Sequence, residues 1–201
     1  MPLTNTTIRD NINNQEYWNA THKMELEHGY SHVHRARYEI IHNNLRNSDT
    51  ICDFGCGHGE WIYHEAKRRP FAKYTGIDFS PLAINKAKEI MPHFEWVVGS
   101  SFPNEQYDVV LLQHVIEHFD DPEKILMEAV EHTKRMLIVV IPLYDDWREH
   151  PRIYTLENCR ELILDLKEYG KVMGVHLPTA DMRDEENDRD FEEFIIMLEK
   201  H

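Results

Sequence analysis

An apolar run ends at Asp53, and Gly55, Gly57 and Gly59 follow it at alternate positions. Glycines so spaced allow a tight turn and let a ligand lie close against the backbone. A second acidic residue, Asp78, stands 25 positions beyond Asp53 and closes another apolar run. At the carboxyl edge of a parallel sheet, such a carboxylate can accept hydrogen bonds from both hydroxyls of a ribose. The two motifs together call for a nucleoside. The dinucleotide pattern G-x-G-x-x-G would put its last glycine where this chain has Glu60, whose charge is the wrong sign for a pyrophosphate. That counts against a nicotinamide-dependent oxidoreductase.

The spacing G-x-G-x-G preceded by Asp53 resembles the first motif of class I S-adenosylmethionine-dependent methyltransferases. The likeness continues in order over about residues 50–170. Tyr74-Thr75-Gly76-Ile77-Asp78-Phe79-Ser80 resembles their ribose-binding strand, and residues 96–102 the segment flanking adenine. Tyr107-Asp108-Val109-Val110-Leu111-Leu112, with His114-Val115-Ile116-Glu117-His118, resembles their fourth strand and its loop. The resemblance implies S-adenosylmethionine as donor and S-adenosylhomocysteine as product. It also implies a doubly wound, mostly parallel, seven-stranded Rossmann-like α/β sheet with an antiparallel last strand and an N-terminal helical lid. Gly55 and Gly57 would pass beneath the methionine part of the cofactor, Asp53 would lie near its amino group, and Asp78 would hold the ribose. Phe79 would pack on the adenine, while Phe102 suits adenine and plain core equally. Ser100 and Ser101 stand where many relatives carry an Asp bonded to the adenine amino group, a departure that leaves a hydroxyl or a backbone group to substitute. Gln113 completes the expected cofactor set.

A sulfonium already activates its methyl group, so the protein mainly has to align the acceptor and exclude water. A hydroxyl acceptor gains from a general base or a metal ion. Gln113, His114, Glu117, His118 and His150 are expected beside the methyl position, with His118 and His150 as candidates for base or acceptor contact. His114, Glu117 and His118 fall at i, i+3 and i+4, one face of a helix. With His150 they resemble the divalent-metal set of the 2′-O-methyltransferases that act on the 3′ ends of small RNAs. Imidazoles and a carboxylate would suit Mn, Fe, Co or Zn better than Mg. Glu-His after the fourth strand is also widespread in methyltransferases without a metal. The preferred reading has none, and His114, Glu117, His118 and His150 form the alternative. The chain lacks the Asn/Asp-Pro-Pro-Tyr/Phe arrangement of amino-methylating enzymes and the Pro-Cys nucleophile of cytosine methylation. The expected activity is O-methylation of a small molecule or a sugar or glycan unit. The alternatives are the RNA-end enzyme and a non-catalytic S-adenosylmethionine-binding module.

These groups need a scaffold that gathers strand ends. Runs at 50–54, 73–78, 94–98, 107–112 and 136–141, rich in Ile, Val, Leu and aromatics, predict buried parallel strands. Amphipathic stretches at 59–69, 80–91 and 122–132 alternate with them, the pattern of βα units. Ser80-Pro81 and Asp121-Pro122 each pair an N-cap with proline at the first helical position. A helix over 156–168 behind Thr155 and strands over 171–177 and 191–199 complete the core. Residues 15–45 read as a helical segment with His22, His28, His32 and His34, which would bring Tyr17, Trp18 and Arg35 to the pocket. Residues 142–154, with Tyr144, Asp145, Asp146, Trp147 and Arg148, are expected to set acceptor specificity. The stretch 181–193 holds eight acids against Arg183 and Arg189 and reads as a solvated loop.

At 201 residues the chain fits one domain, 1–201, with 1–45 as lid and 46–201 as catalytic core. A formal net charge of −14 repels phosphate backbones, so nucleic acid is disfavoured as a partner. No apolar run approaches the roughly 20 residues of a membrane span, and no signal-peptide pattern opens the chain. Cys52, Cys56 and Cys159 read as free thiols of a reducing compartment. A cytoplasmic monomer or homodimer is expected, acting on a small-molecule or glycan acceptor.

Overall fold

The computed structural model describes residues 7–8, 12–28, 35–178, 183–184, 189–190 and 192–201. Helices α1 (Gln15–His28) and α2 (Arg35–Asn43) precede β1 (Thr50–Phe54), α3 (Glu60–Arg68), β2 (Lys73–Asp78), α4 (Pro81–Ile90) and β3 (Glu95–Val98). Then come β4 (Tyr107–Gln113), a single 3-10 turn (Ile116–His118), α5 (Pro122–His132), β5 (Thr133–Leu143), α6 (Leu156–Leu166), β6 (Gly170–Leu177) and β7 (Glu192–Lys200). The seven strands lie in the order β3-β2-β1-β4-β5-β7-β6. β7 runs antiparallel to both of its neighbours, while β1 to β5 pair in parallel. This is the doubly wound sheet with an antiparallel last strand expected above.

The two-residue period of a strand sorts the side chains onto two faces. Val109 and Leu111 of β4 pack with Ile41, Ile62 and Ile84, so α2, α3 and α4 cover one face. Val110 and Leu112 pack with Ile125, Ala129 and Leu162, so α5 and α6 cover the other. Strands buried on both sides have to read as continuous apolar runs, and these do. The strand order turns back at β1, with β2 on one side and β4 on the other. Adjacent strand ends therefore part there and leave a crevice, the switch point where ligands bind in such sheets.

Local chemistry fixes the helix starts. Ser80 Oγ accepts from the Ala83 N–H ahead of Pro81, and Asp121 Oδ1 accepts from the Lys124 N–H ahead of Pro122. Thr155 and Asn158 form a reciprocal capping box. Each such cap is worth about 1 kcal/mol.

Three expectations need correction. The segment 15–45 is two helices, with residues 29–34 between them outside the described residues. β5 starts at Thr133, three residues early, because Thr133 already pairs with Tyr107 at the start of β4. The stretch 181–193 is not all solvated: Arg183–Asp184 pairs with Arg189–Asp190, and β7 opens with a fully buried Glu193. At the end of α3, Arg68 binds Glu39 at 3.0 Å and Arg69 binds Glu65 at 3.0 Å. Cys52, Cys56 and Cys159 are free thiols. Among the described residues no helix is long and apolar enough to cross a membrane.

Candidate active site

A cavity of about 900 Å³ occupies the crevice, with α1 contributing Trp18, Thr21 and His22 to its wall. On the β1–β2 side the loop after β1 is tied to β2 by main-chain bonds. The N–H groups of Gly55 and Cys56 both reach the Ile77 carbonyl, at 2.7 and 3.0 Å. Asp78 holds the turn from the other side, one oxygen accepting from Gly57 N–H at 2.9 Å and the other from Ser80 N–H at 2.8 Å. Gly55 sits at φ 76, where a Cβ would come within 2.5 Å of Val115 Cγ2, so only glycine fits.

Asp53 lines the same side and is 2% exposed. Burial pushes its carboxyl up to about 7; a 3.4 Å hydrogen bond from Gln113 opposes the rise, and Asp78 adds to it. Gly55, Gly57, Asp78, Phe79, Ser100 and Gln113 also line the cavity. Ser101 is exposed and lies outside the lining. Phe102 stacks on Phe54 at 4.6 Å and on His132 at 5.0 Å, so it belongs to the core.

The roof is bonded to both flanks of the crevice. Gln15 Nε2 donates to the Phe79 carbonyl at 2.8 Å, and Ser80 Oγ meets Asn19 Oδ1 at 2.5 Å. Across the crevice Trp18 Nε1 donates to Asn13 Oδ1 at 2.9 Å, and Asn13 Nδ2 donates to the Glu149 carbonyl at 2.7 Å. Trp18 stands edge-on to His118 at 4.9 Å, and His22 edge-on to His58 at 4.7 Å. Tyr17 lies outside the lining. The side chains of His28 and Arg35, and all of His32 and His34, lie outside the described residues.

On the β4–β5 side the expected four-residue set divides. His114 has a left-handed backbone, φ 54, with its N–H bonded to the Val140 carbonyl at 3.0 Å. That conformation turns its ring away from the 3-10 turn and toward Glu193 Oε1, 2.7 Å away. Arg37 Nη1 meets the same oxygen at 2.5 Å. Glu117 and His118 instead join His150, their ligating atoms all lying within 4.8 Å of one another. His118 Nδ1 lies 3.0 Å from the Glu149 carbonyl. A carbonyl can only accept, so Nδ1 carries a proton there, while Nε2 lies 4.0 Å from Glu117 Oε1. Burial pushes His118 down to about 4, leaving it neutral at pH 7. Burial also pushes the Glu117 carboxyl well above the usual range, and Asp145 and Glu193 add to the rise. His150 Nδ1 stands 3.5 Å from Asp145 Oδ2.

Of the loop 142–154, Asp145, Trp147, Glu149 and His150 reach the cavity, whereas Tyr144, Asp146 and Arg148 do not. Sequence reasoning missed Arg37 and Glu193. An arginine followed by Tyr38, Ile40 and Ile41 on a short helix was a clue to the first. The second was hidden among seven other acids.

Residues 27–180 match the methyltransferase domain family. The chain belongs to that family. Trans-aconitate 2-methyltransferase of Escherichia coli O157:H7 is 24% identical to this methyltransferase over 135 residues, 66% of this chain and 54% of that protein. The chain thus spans about half the length of the curated relatives it matches. Among solved structures, magnesium protoporphyrin IX methyltransferase from Synechocystis PCC 6803, with bound S-adenosylmethionine, superposes with a TM-score of 0.68 at 15% identity, covering 93% of this chain and 95% of that one. A plantazolicin methyltransferase in complex with S-adenosylhomocysteine gives a TM-score of 0.61 at 18% identity, covering 82% and 80%.

S-adenosylmethionine is the cofactor of this methyltransferase class, and the cavity fits it. Eight lining carboxylates stand against Arg37 and Lys124, a balance that suits a ligand carrying a sulfonium and an ammonium.

Proposed function

We propose that this methyltransferase moves the methyl group of S-adenosylmethionine onto an oxygen of a small molecule or a single sugar unit. The cavity carries the reading. At about 900 Å³ it lies within the range of small-ligand sites, roughly 300–1,000 Å³. It has cofactor-type groups on the β1–β2 side and histidines on the β4–β5 side, under a roof that includes Trp18, Thr21 and His22 of α1. Relatives named for trans-aconitate and magnesium protoporphyrin IX support an acceptor of low molecular weight.

In this reading Gly55 and Gly57 underlie the methionine part, Asp53 takes its ammonium and Asp78 the ribose hydroxyls. Phe79 and Ser100 border the adenine. The acceptor oxygen approaches the methyl carbon from the side opposite sulfur. An O–C bond forms as the S–C bond breaks, the sulfur pair stays with S-adenosylhomocysteine, and the hydroxyl proton leaves. His118, neutral and fixed by the Glu149 carbonyl, borders the acceptor hydroxyl. A group titrating near 4 is a weak base, so the proton passes toward His150 and the cavity mouth.

The test is calorimetry with S-adenosylmethionine and S-adenosylhomocysteine, followed by labelled-methyl transfer to a panel of hydroxy acids, phenols and sugars. Binding of both nucleosides and stoichiometric product with one acceptor class is the expected result. Absence of nucleoside binding would overturn the assignment, and binding without transfer to any acceptor would favour the non-catalytic module.

A further inference from the structure

We infer that Glu128 of α5 accepts a hydrogen bond from the amino group of adenine and so sets the base specificity of the cofactor site. The inference rests on the methyl-transfer reading and names a contact which that reading leaves open.

Phe54, Phe102 and His132 form one continuous stack. Phe102 lies 4.6 Å from Phe54 and 5.0 Å from His132, near-parallel to both rings. Phe54 lines the cavity, so the stack runs from the cavity wall to the last turn of α5. It holds the segment after β3 against that helix. Two further bonds tie the same pair together: Gln106 Nε2 donates to the Glu131 carbonyl at 3.0 Å, and His132 Nδ1 donates to the Glu105 carbonyl.

Helix residues four apart share a face, so Lys124, Glu128 and His132 make one row along α5. His132 ends the row against Phe102. Lys124 and Glu128 continue it along the cavity, whose wall also includes Ser100, two residues before Phe102. Glu128 therefore stands one helical turn from the Phe102 contact, on the wall it shares with Ser100, where the adenine is placed.

Glu128 is partly buried, and among the described residues its carboxylate makes no hydrogen bond or ion pair. Nor does the Lys124 ammonium one turn away, so the two do not neutralise each other. Asp121, at the start of the same helix, is engaged as its cap and accepts from the Lys124 N–H at 3.0 Å. A carboxylate withdrawn from water gains from a donor, and Glu128 has none within the protein. Adenine brings one, since its amino group presents N–H bonds at the edge of the base. A carboxylate can only accept, so it favours that amino group and repels the carbonyl oxygen that replaces it in hypoxanthine. The Ser100 hydroxyl both donates and accepts, so by itself it serves either base. Discrimination between the two falls to Glu128, because a site built to bond an N–H rejects the analogue lacking it.

The probes are S-adenosylhomocysteine and S-inosylhomocysteine, which carries an oxygen in place of the amino group, each titrated calorimetrically into the full-length protein. Wild-type protein is expected to bind the adenosine form roughly tenfold or more tightly than the inosine form. E128A should weaken the adenosine form by roughly tenfold and leave the inosine form as it was, so the selectivity is lost. E128Q keeps the size of the side chain, and its amide both donates and accepts, so it should bind the two forms about alike. E131A changes an exposed acid of the same helix outside the cavity and should keep wild-type selectivity. The ratio of the two affinities is read within one sample, so a partly folded variant still reports it. A merely structural role for Glu128 would weaken both forms by one factor and leave the ratio unchanged. That result, wild-type selectivity in both Glu128 variants, or loss of selectivity in E131A would each overturn the assignment. Equal binding of both forms by wild-type protein removes Glu128 alone. Failure of wild-type protein to bind S-adenosylhomocysteine removes the methyl-transfer reading, and the adenine contact with it.

Discussion

The two sides of the cavity are built on different principles. The β1–β2 side is backbone: two main-chain donors on the Ile77 carbonyl, one carboxylate on two more, and a glycine where no side chain fits. Most of it lies between Asp53 and Ser80, with Ser100 and Gln113 added from the next strands. The β4–β5 side is side chains, drawn from α1, α2, the 3-10 turn, the loop before α6 and the start of β7. Charge and aromatic contacts hold it, and each of them depends on the complete fold. The first arrangement grips one ligand. The second can be altered piece by piece to change an acceptor while the cofactor stays in place. The sides touch where Gly55 meets Val115 and Gln113 meets Asp53, and the Arg37 charge also reaches Asp53.

The largest way to break this division is at Glu193. Its Oε1 gathers Arg37 and His114 at full burial. E193A leaves the Arg37 guanidinium, 11% exposed, without its counter-charge. Breaking a buried pair from one end costs about 3–5 kcal/mol, so the thermal midpoint should fall sharply. S-adenosylhomocysteine affinity, measured below the new midpoint, should hold within about twofold, because Arg37, whose charge reaches both Glu193 and Asp53, is retained. If affinity falls together with stability, the two sides are one unit.

G55A acts on the opposite side. The left-handed backbone costs an alanine about 1–2 kcal/mol, and crowding against Val115 adds roughly 1–3 kcal/mol. Cofactor affinity should drop about tenfold for each 1.4 kcal/mol taken from the bound loop. Adding V115A removes the crowding and leaves the backbone strain, so the double variant should recover part of the loss. Recovery in full would place the whole effect at the seam between the sides; no recovery would place it in the loop alone.

The same division explains what could be read without coordinates. β1, β2, α4 and α5 follow from apolar runs and from Ser80-Pro81 and Asp121-Pro122, signals that act within a few residues. Gly55 was legible for the same reason, since its role is local backbone geometry; Asp78 was placed at its strand end, but its bonds to the Gly57 and Ser80 N–H groups were not foreseen. His114 was not. Its i, i+3, i+4 spacing presumed a helix, and one positive φ sent the ring elsewhere. Arg37 and Glu193 are 156 positions apart and meet only once β7 inserts beside β5. No short-range pattern encodes that encounter. Ser101 failed for a smaller reason, standing one residue beyond Ser100 and so on the surface rather than in the wall, while Phe102, read as adenine contact or core, is core.

The smallest expected effect is also the most diagnostic of the cofactor side. Burial holds the Asp53 carboxyl at about 7 in the unliganded protein. An ammonium bound beside it favours the ionised form, so below pH 7 binding has to expel a proton. The sign follows: cofactor affinity weakens as pH falls below 7, by up to about tenfold per unit, and levels off above it. Calorimetry at pH 6 in buffers of different ionisation enthalpy should count close to one proton released per S-adenosylhomocysteine bound. D53N should bind more weakly at pH 8 and lose both the slope and the released proton. A slope that survives in D53N would assign the titration to another group and remove Asp53 from the ammonium site, leaving the β1–β2 side to grip the cofactor by Asp78 and the glycine loop alone.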